Sequence, residues 1–462
     1  MTVLLFLLGV LAIAVGIGVS IALHEIGHLA PAKKFGVKCT QYMVGFGPTI
    51  WSTRRGETEY GIKAIPLGGY VRMVGMFPPR SEKSRARAEG RAEKPGRIGT
   101  MIEDARTDAL AEIAPGEEHR AFYRLSTPQK ITVMLGGPVM NLLIATVIFA
   151  FLVPLQGFGV PAEGTGSLVR TVAQCVRPVT AETDAEQAPC TSADQPTPAV
   201  QAGLRPDDVI TSIAGRPVAY PEDVGPIVRE YAGVSIPIVV ARGEESIALQ
   251  VTPIANEVPQ FDANGELLRD DSGALVTTTA GFIGISGGTP ITEYRSLAGV
   301  VPAVWYVTER TAMIVFTLPA RIVDVWNAAF GPAERDPEGP MSVVGVGRVA
   351  GEVSTGALET RSGDILTFDV SERVTMLFSL LASLNIALFV FNLIPLLPLD
   401  GGHVAGALWE GLKRTVARVT GRGDPGYVDV AKALPLTYVV ASLLLGMGVL
   451  LIYADLVKPV RF

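Results

Sequence analysis

Histidine and cysteine are scarce in this chain, with four of the first and three of the second among 462 residues. Charge is scarce too: 18% of residues are charged and 48% are hydrophobic. Such a chain is too apolar for a purely soluble protein of this size, yet not apolar enough to lie wholly in a membrane. A membrane core with soluble insertions is the natural reading. The amino-terminal apolar run, Thr2 to Leu23, has no basic segment before it and no A-x-A-like cleavage site before His24. It is therefore not expected to be a cleaved signal peptide.

Four runs are long and charge-free enough to cross a bilayer, which takes roughly 20 apolar residues. They are about Thr2 to Leu23, Ile131 to Leu155, Met376 to Leu399 and Ala433 to Ala454. The stretch Val300 to Phe330 is interrupted by Glu309, Arg310, Arg321 and Asp324 and carries Pro319. It reads as an interfacial amphipathic helix anchored by Trp305, Tyr306 and Trp326. Between Pro31 and Lys130 there are 18 Lys/Arg against 11 Asp/Glu; between Gln156 and Val300, 8 against 18. The positive-inside rule puts the first of these in the cytoplasm and the second on the opposite side, one span away. This predicts an extracytoplasmic amino terminus, with the spans running inward, outward, inward and outward in the plasma membrane.

Two of the four histidines stand at the inner end of the first span, as His24-Glu25-Ile26-Gly27-His28. On a helix, His24 and His28 share one face and can hold one metal ion. Glu25 lies about a quarter-turn away, where it could act as a general base toward water. The bland alternative is a helix end with two surface histidines, and the H-E-x-x-H string alone is a weak pattern. The third span ends in Asn392-Leu-Ile-Pro395-Leu-Leu-Pro398-Leu-Asp400-Gly401-Gly402. Its prolines break the helix, and such backbone is tolerated at membrane depth only where it is buried or lines a cavity. Topology brings Asp400 level with His24 and His28. Two histidines and one carboxylate leave a fourth position open, as in catalytic zinc sites; the alternative is a membrane-exit loop with an interfacial Asp. A closed structural zinc site would take more Cys or His, and no cysteine is near. A third polar intrusion, Gly136-Gly137-Pro138-Val139-Met140-Asn141, is expected to loosen the second span. Asn141 and Asn392 either hold an extended substrate backbone or oxyanion, or bond between helices. His403 reads as interfacial or as supporting the ligands, and His119 as solvated.

Residues 39 to 76 are rich in aromatic, β-branched and Gly residues, with Arg54-Arg-Gly-Glu as a turn, and predict a small sheet. Residues 77 to 128 are Arg/Glu/Ala-rich and predict a flexible or partly helical polar insert. Residues 160 to 287 predict a soluble α/β module; Cys175 and Cys190 fall in it and are a disulfide candidate on the oxidising side. The alternative is two free thiols.

These motifs together resemble the site-2 protease family of intramembrane zinc metalloproteases. The residues that carry the resemblance are His24-Glu25-x-x-His28, Gly137-Pro138-x-x-Asn141, Asn392-x-x-Pro395 with Pro398, and Leu399-Asp400-Gly401. The order, membrane placement and soluble insert agree over nearly the whole chain. Ala202-Gly-Leu-Arg-Pro-Asp-Asp looks like the core of a PDZ domain, and one such domain, as in the actinobacterial branch, is implied outside the cytoplasm. The resemblance implies Zn2+ held by His24, His28 and Asp400, with Glu25 as the base. It also implies a sheet that dips into the membrane and takes the substrate as an added strand, through Gly45-Phe46-Gly47 and Gly68-Gly69-Tyr70. The 77–128 insert and the Cys175–Cys190 excursion depart from the family core.

The expected fold is thus a polytopic α-helical membrane protein with four spans, a membrane-associated β-sheet on the cytoplasmic side and an extracytoplasmic α/β PDZ domain. The expected activity is zinc endopeptidase cleavage of single-span membrane proteins after a site-1-type protease has shortened them. Anti-sigma factors in stress-response signalling, or remnant signal peptides, are the implied substrates, and nothing points to nucleic acid. Two rivals stand against this. A divalent-metal transporter would put its ligands at mid-membrane on several helices. A silent PDZ scaffold would not need Glu25.

Overall fold

The computed structural model describes residues 2–79, 97–162, 164–176, 190–191, 194–260, 268, 276–331, 335–336, 339–359 and 365–460. Of the polar insert, residues 80–96 thus lie outside the described residues. The chain divides into two units: Met1–Gly157 with Arg295–Phe462, and Phe158–Tyr294.

The first unit opens with helix α1 (Thr2–Lys34), which begins as a charge-free run whose large side chains mostly face outward. Strands β1 (Cys39–Arg55) and β2 (Thr58–Met73) follow, joined at Gly56, whose φ of +63° suits a glycine. Both strands bend. Gln41–Val44 pair with Glu59–Ile62 on one side and with Gly69–Arg72 on the other. Two strands thereby make a layer of four short pieces, with 69–73 along one edge and 49–55 along the other. Helix α2 (Arg97–Ala111) supplies the helical part of the polar insert, and Arg106 on it forks onto Asp429 at 2.8 and 2.9 Å. Ser126 and Gln129 form a capping box with Pro128 in the first turn, and this starts helix α3 (Thr127–Gln156). Gly137-Pro138 is expected from sequence to loosen this span; the helix instead runs unbroken through Pro138.

The second unit is built on strands β3 (Phe158–Pro161) and β4 (Ser167–Val172), helix α4 (Pro198–Ala202), strands β5 (Val209–Ile213) and β6 (Arg216–Pro217), helix α5 (Val224–Arg229), and strands β7 (Ile236–Arg242), β8 (Glu245–Val251), β9 (Ile254–Pro259), β10 (Thr277–Phe282), β11 (Ile285–Gly288) and β12 (Ile291–Tyr294). The main sheet runs β11-β4-β5-β7-β8, with β6 on β5. Its inner face buries Val169, Ile210, Ile213, Ile238, Val240 and Val251 together. β12 pairs with β3, so the unit extends to 158–294 rather than the expected 160–287. Cys175 and Cys190 are joined by a disulfide.

The first unit then resumes with helices α6 (Val300–Phe330) and α7 (Val343–Thr355), the hairpin β13 (Ala357–Glu359) and β14 (Ile365–Thr367), and helices α8 (Val370–Asn392), α9 (Asp400–Val419) and α10 (Leu434–Val457). Two features differ from the sequence-based expectation. The third membrane segment does not continue to Gly402: α8 stops at Asn392, and Asp400 opens a new helix, α9. Hydropathy also predicts no element at α7, whose Gly345 and Gly351 let it lie close against its neighbours. A Cβ on Gly351 would stand 2.4 Å from Phe6 of α1.

Polar and small-residue contacts fix the helix directions. Gly27 meets Gly136 and His24 meets Asn141, so α1 and α3 are antiparallel. Gly16 meets Leu381 and Ser20 accepts from Asn385 at 3.0 Å, so α8 runs with α1. Five helices among the described residues are long and apolar enough to cross a membrane, one more than the four expected from sequence; the fifth is Leu297–Phe330, the stretch expected from its interrupting charges to be interfacial. Its geometry is distinctive. Phe158 pairs with Tyr294, so α6 starts beside the carboxyl end of α3; its other end packs Val325 and Ala329 on Leu451 and Ala454, near the carboxyl end of α10. The segment before α10 reaches the start of α3, where Lys130 lies 5.2 Å from the Tyr427 ring, and α10 ends with Asp455 against Gly345 of α7, beside Ile13 in the first half of α1. Both ends of α6 therefore lie toward one end of the bundle.

Candidate active site

His24 and His28 occupy successive turns of α1, and their Nε2 atoms are 3.2 Å apart. Asp400, in the first turn of α9, brings Oδ2 to 3.4 Å from His24 Nε2 and 3.3 Å from His28 Nε2. The three possible ligand atoms lie within 4.8 Å of one another. The Asp400 oxygen is buried and has no hydrogen-bond donor. Three acceptor-type atoms facing one another, one of them buried without a donor, is an unfavourable arrangement unless a cation fills it.

His28 has its tautomer set by the backbone. Its Nδ1–H donates to the Val133 carbonyl at 2.8 Å, which leaves the Nε2 lone pair facing Asp400. That carbonyl is on α3, four residues before Gly137. The amide of Asn141, one turn after Gly137, is fully buried with its nitrogen 3.0 Å from His24 Nδ1. Amide nitrogen and oxygen exchange by a half-turn. With Oδ1 toward His24, the ring would donate from Nδ1 and present Nε2 as an acceptor.

Two glycine pairs make this convergence possible. A Cβ on Gly136 would stand 1.9 Å from the Gly27 carbonyl oxygen, and one on Gly27 would stand 2.2 Å from that of Gly136, so the backbones of α1 and α3 touch there. A Cβ on Gly137 would stand 2.2 Å from His28 Nε2 and 2.6 Å from His24 Nε2, inside the ligand set itself. At the other ligand, a Cβ on Gly401 would meet the Ile394 carbonyl oxygen at 2.3 Å, and one on Gly402 the Leu397 nitrogen at 2.5 Å. The 393–399 turn thus packs directly under the start of α9. Gly136-Gly137, helix-loosening by sequence, serves close approach instead.

Glu25 is buried, and β2 crosses beside it: a Cβ on Gly69 would stand 2.9 Å from Glu25 Cγ. The edge piece 69–73 therefore passes the base. Gly68 has φ +101° and lies against the Phe46 ring; Gly45 and Gly47 have φ +94° and +83°. Phe46, Ile50, Trp51, Ile62 and Ile65 are exposed on this layer. Asn392, at the end of α8, is half-buried, and its side chain has no hydrogen-bond partner among the described residues, so Asn141 and Asn392 do not form a pair. His403 is half-buried one turn after Asp400, and His119 is exposed. Sequence reasoning missed Asn385, which is fully buried and bonds Ser20 across α1 and α8. Its signal is a lone amide within a charge-free run.

In the second unit, a cavity of about 300 Å³ separates α5 from the 281–287 segment, with Val224, Val228 and Arg229 on one side and Phe282, Ile283 and Ile285 on the other. β11 is the edge strand there. Below the sheet, Asp208 is buried and accepts from Arg242 Nε at 2.7 Å and Nη2 at 2.8 Å, and from the Arg205 amide at 2.9 Å. Burial pushes the Asp208 carboxyl up, but these donors outweigh it and hold it below the usual carboxylate range.

Fold and site together define a class: helical membrane proteins in which an H-E-x-x-H pair on one helix meets an aspartate from a distant one. The model of Peptidase family M50 matches residues 12–423. The zinc metalloprotease Rip1 of Mycobacterium tuberculosis is 33% identical over 462 residues, covering 99% of each chain. The metalloprotease MmpA of Caulobacter vibrioides is 26% identical over 89% of each chain, and the regulator of sigma-W protease RasP of Bacillus subtilis is 25% identical over 88% of this chain and 91% of its own. The chain belongs to Peptidase family M50 and is a multi-pass membrane protein.

Proposed function

We propose that this protein is an intramembrane zinc endopeptidase that cuts single-span membrane proteins within or near the bilayer. The chain is a zinc metalloprotease, in line with its family and with the names of its relatives. The observation that carries the finer reading is the convergence of His24, His28 and Asp400 beside Glu25 and the sheet edge at Gly69. Two imidazoles and one carboxylate fit a catalytic zinc with an open position. Zinc, when bound, supplies Lewis-acid activation of water and of the scissile carbonyl.

The chain's own groups do the rest. Glu25 takes the proton from the attacking water and later delivers it to the leaving amine. Val133, through its carbonyl, and Asn141 orient the two rings, so Asn141 is better read as a positioning residue for His24 than as a substrate contact. A helical substrate hides its peptide bonds. The open 69–73 edge offers backbone groups on which it can be held extended, with Gly68 and Gly69 leaving room for it and Gly45-Phe46-Gly47 shaping the bend above. Asn392 remains available to bond that extended chain.

We read the membrane topology as four spans, with α6 lying along the extracytoplasmic interface. In support, both its ends lie toward one end of the bundle and its Trp305 and Trp326 are exposed. The amino terminus and the 158–294 unit are then extracytoplasmic, a setting that suits the Cys175–Cys190 disulfide. That unit is read as a PDZ domain that screens or docks substrates already shortened by a site-1-type protease. Anti-sigma factors and remnant signal peptides are the proposed substrates; one relative is named as a regulator of a sigma factor.

The test is cleavage of a tagged single-span substrate by purified protein in detergent, for wild type and Glu25→Gln, with and without a chelator. Loss in both the variant and the chelated sample supports the assignment. Cleavage that survives Glu25→Gln sinks it.

A further inference from the structure

α9 carries Asp400 at one end and has two unlike sides. One side packs on α3: Glu410 accepts from Lys130 Nζ at 2.9 and 3.0 Å, Ala407 and Ala417 are buried, and a Cβ on Gly411 would stand 2.9 Å from Thr127. The other side leaves Leu408, Trp409, Leu412, Val416 and Val419 exposed, Val419 at 82%. These residues recur every three to four positions, so they form one continuous apolar stripe rather than scattered exposures.

Cations border the stripe. Lys413, Arg418 and Arg422 are exposed and have no carboxylate partner among the described residues. Lys413 Nζ lies 5.2 Å from the centre of the Trp409 ring. Arg414, by contrast, is engaged by Glu410 at 3.1 Å and by Asp424 at 3.7 Å. Asp424 also lines the crevice of about 790 Å³ between the stripe and the 422–426 loop, and it is the carboxylate there. The crevice thus holds an excess of positive charge beside an apolar floor.

α9 packs on the first turns of α3, at the bundle end from which the basic 31–130 segment emerges. An exposed apolar stripe with a tryptophan and unpaired cations, at the mouth of a membrane bundle, matches the chemistry of one occupant: a lipid with an acyl chain and a negatively charged headgroup. A peptide partner would need paired donors and acceptors or a carboxylate cluster, and a free phosphate would leave the apolar floor unused. We propose that α9 binds anionic phospholipid from the leaflet facing the 31–130 segment, with the acyl chain along Leu408, Leu412 and Val416 and the headgroup against Lys413, Arg418 and Arg422. This rests on the reading above that α1, α3, α8 and α10 cross a bilayer. It adds that the helix bearing Asp400 is held by lipid on its free side.

The test uses the full chain in phosphatidylcholine nanodiscs with Trp409 as the single tryptophan, through Trp51→Phe, Trp305→Phe and Trp326→Phe. Brominated phosphatidylglycerol and brominated phosphatidylcholine, each at a low mole fraction, serve as quenchers. The expected result is that phosphatidylglycerol quenches Trp409 at several-fold lower mole fraction than phosphatidylcholine. Lys413→Gln, Arg418→Gln and Arg422→Gln should each reduce this preference, and the three together should abolish it, since each cation near an anionic surface adds to the attraction. Zinc content, measured on every sample, should not change. Equal quenching by the two lipids overturns the proposal, as does absence of quenching by either, or a preference abolished by millimolar inorganic phosphate. Loss of zinc from the Glu25 site or loss of substrate cleavage would concern the protease reading instead and leaves the quenching ratio as a separate result.

Discussion

The two units differ in what they turn outward and in how many polar groups they place among their helices or strands. In the 158–294 unit the interior is Val169, Ile210, Ile213, Ile238, Val240 and Val251, and among the described residues Asp208, clamped by Arg242, is the buried charge. In the helical unit, Leu4, Leu7, Leu8, Leu11 and Val15 of α1 face outward, while Ser20, His28, Asn141 and Asn385 are inside, and Gly27 and Gly136 touch. The solvent explains the difference. Water drives apolar side chains together in the first case. In lipid that drive is absent between helices, so close backbone approach and buried hydrogen bonds hold α1, α3 and α8. The same close approach lets two histidines meet a third ligand from more than 370 residues away in sequence.

The largest effect is expected at Gly137. Gly137→Ala puts a methyl among the ligand nitrogens, and we expect zinc binding and cleavage to fall by about 100-fold or more, read by metal analysis and substrate assay. Glu25→Gln should retain zinc yet lose cleavage by about 100-fold or more; loss of both together would mean that the residue is structural. Next comes Ile238→Ala, a cavity in a water-driven core, expected to cost about 3 kcal/mol. Hydrogen exchange on the full chain should show the loss in strands β5, β7 and β8, while zinc stays bound.

Asp208→Asn should cost less, about 2 kcal/mol, by loosening the Arg242 fork. The Asp208 pKa is lowered in the folded unit, so its contribution is fully present above the unfolded value of about 4. It is lost as pH falls through the lower folded value. Denaturant melts of wild type should therefore weaken below about pH 4, and the Asn variant should lack that component. The smallest effect is expected at Leu11→Ala, on the outward face of α1. In a bilayer, stability should change by less than about 0.5 kcal/mol. A loss like that of Ile238→Ala would show that Leu11 packs on protein rather than lipid.

Much of the helical unit is legible in the sequence. Charge-free runs announce α1, α3, α8 and α10, because crossing hydrocarbon demands uninterrupted apolar sequence. H-E-x-x-H announces two ligands, since helical spacing alone puts i and i+4 on one face. α7 is not legible. Its 13 residues are too short for a span and too rich in glycine for a strong helix signal, and only packing on Phe6 and Gly9 explains them. α9 is hidden as well, because Leu399-Asp400-Gly401 reads equally as the tail of a span or as the start of a helix.

Local features are readable along the chain alone: which segments are apolar, that His24 and His28 share one helix face with Glu25 beside them, and where charge changes sign. Relations between segments come from the fold. It set Asp400 opposite the histidines, the Val133 carbonyl on His28 Nδ1, Gly69 beside Glu25, and Gly137 as the space the ligands occupy. The reason is physical. Hydropathy and helical period are sums over neighbours in the chain, whereas a site made by backbones in contact depends on distances that no run of adjacent residues encodes.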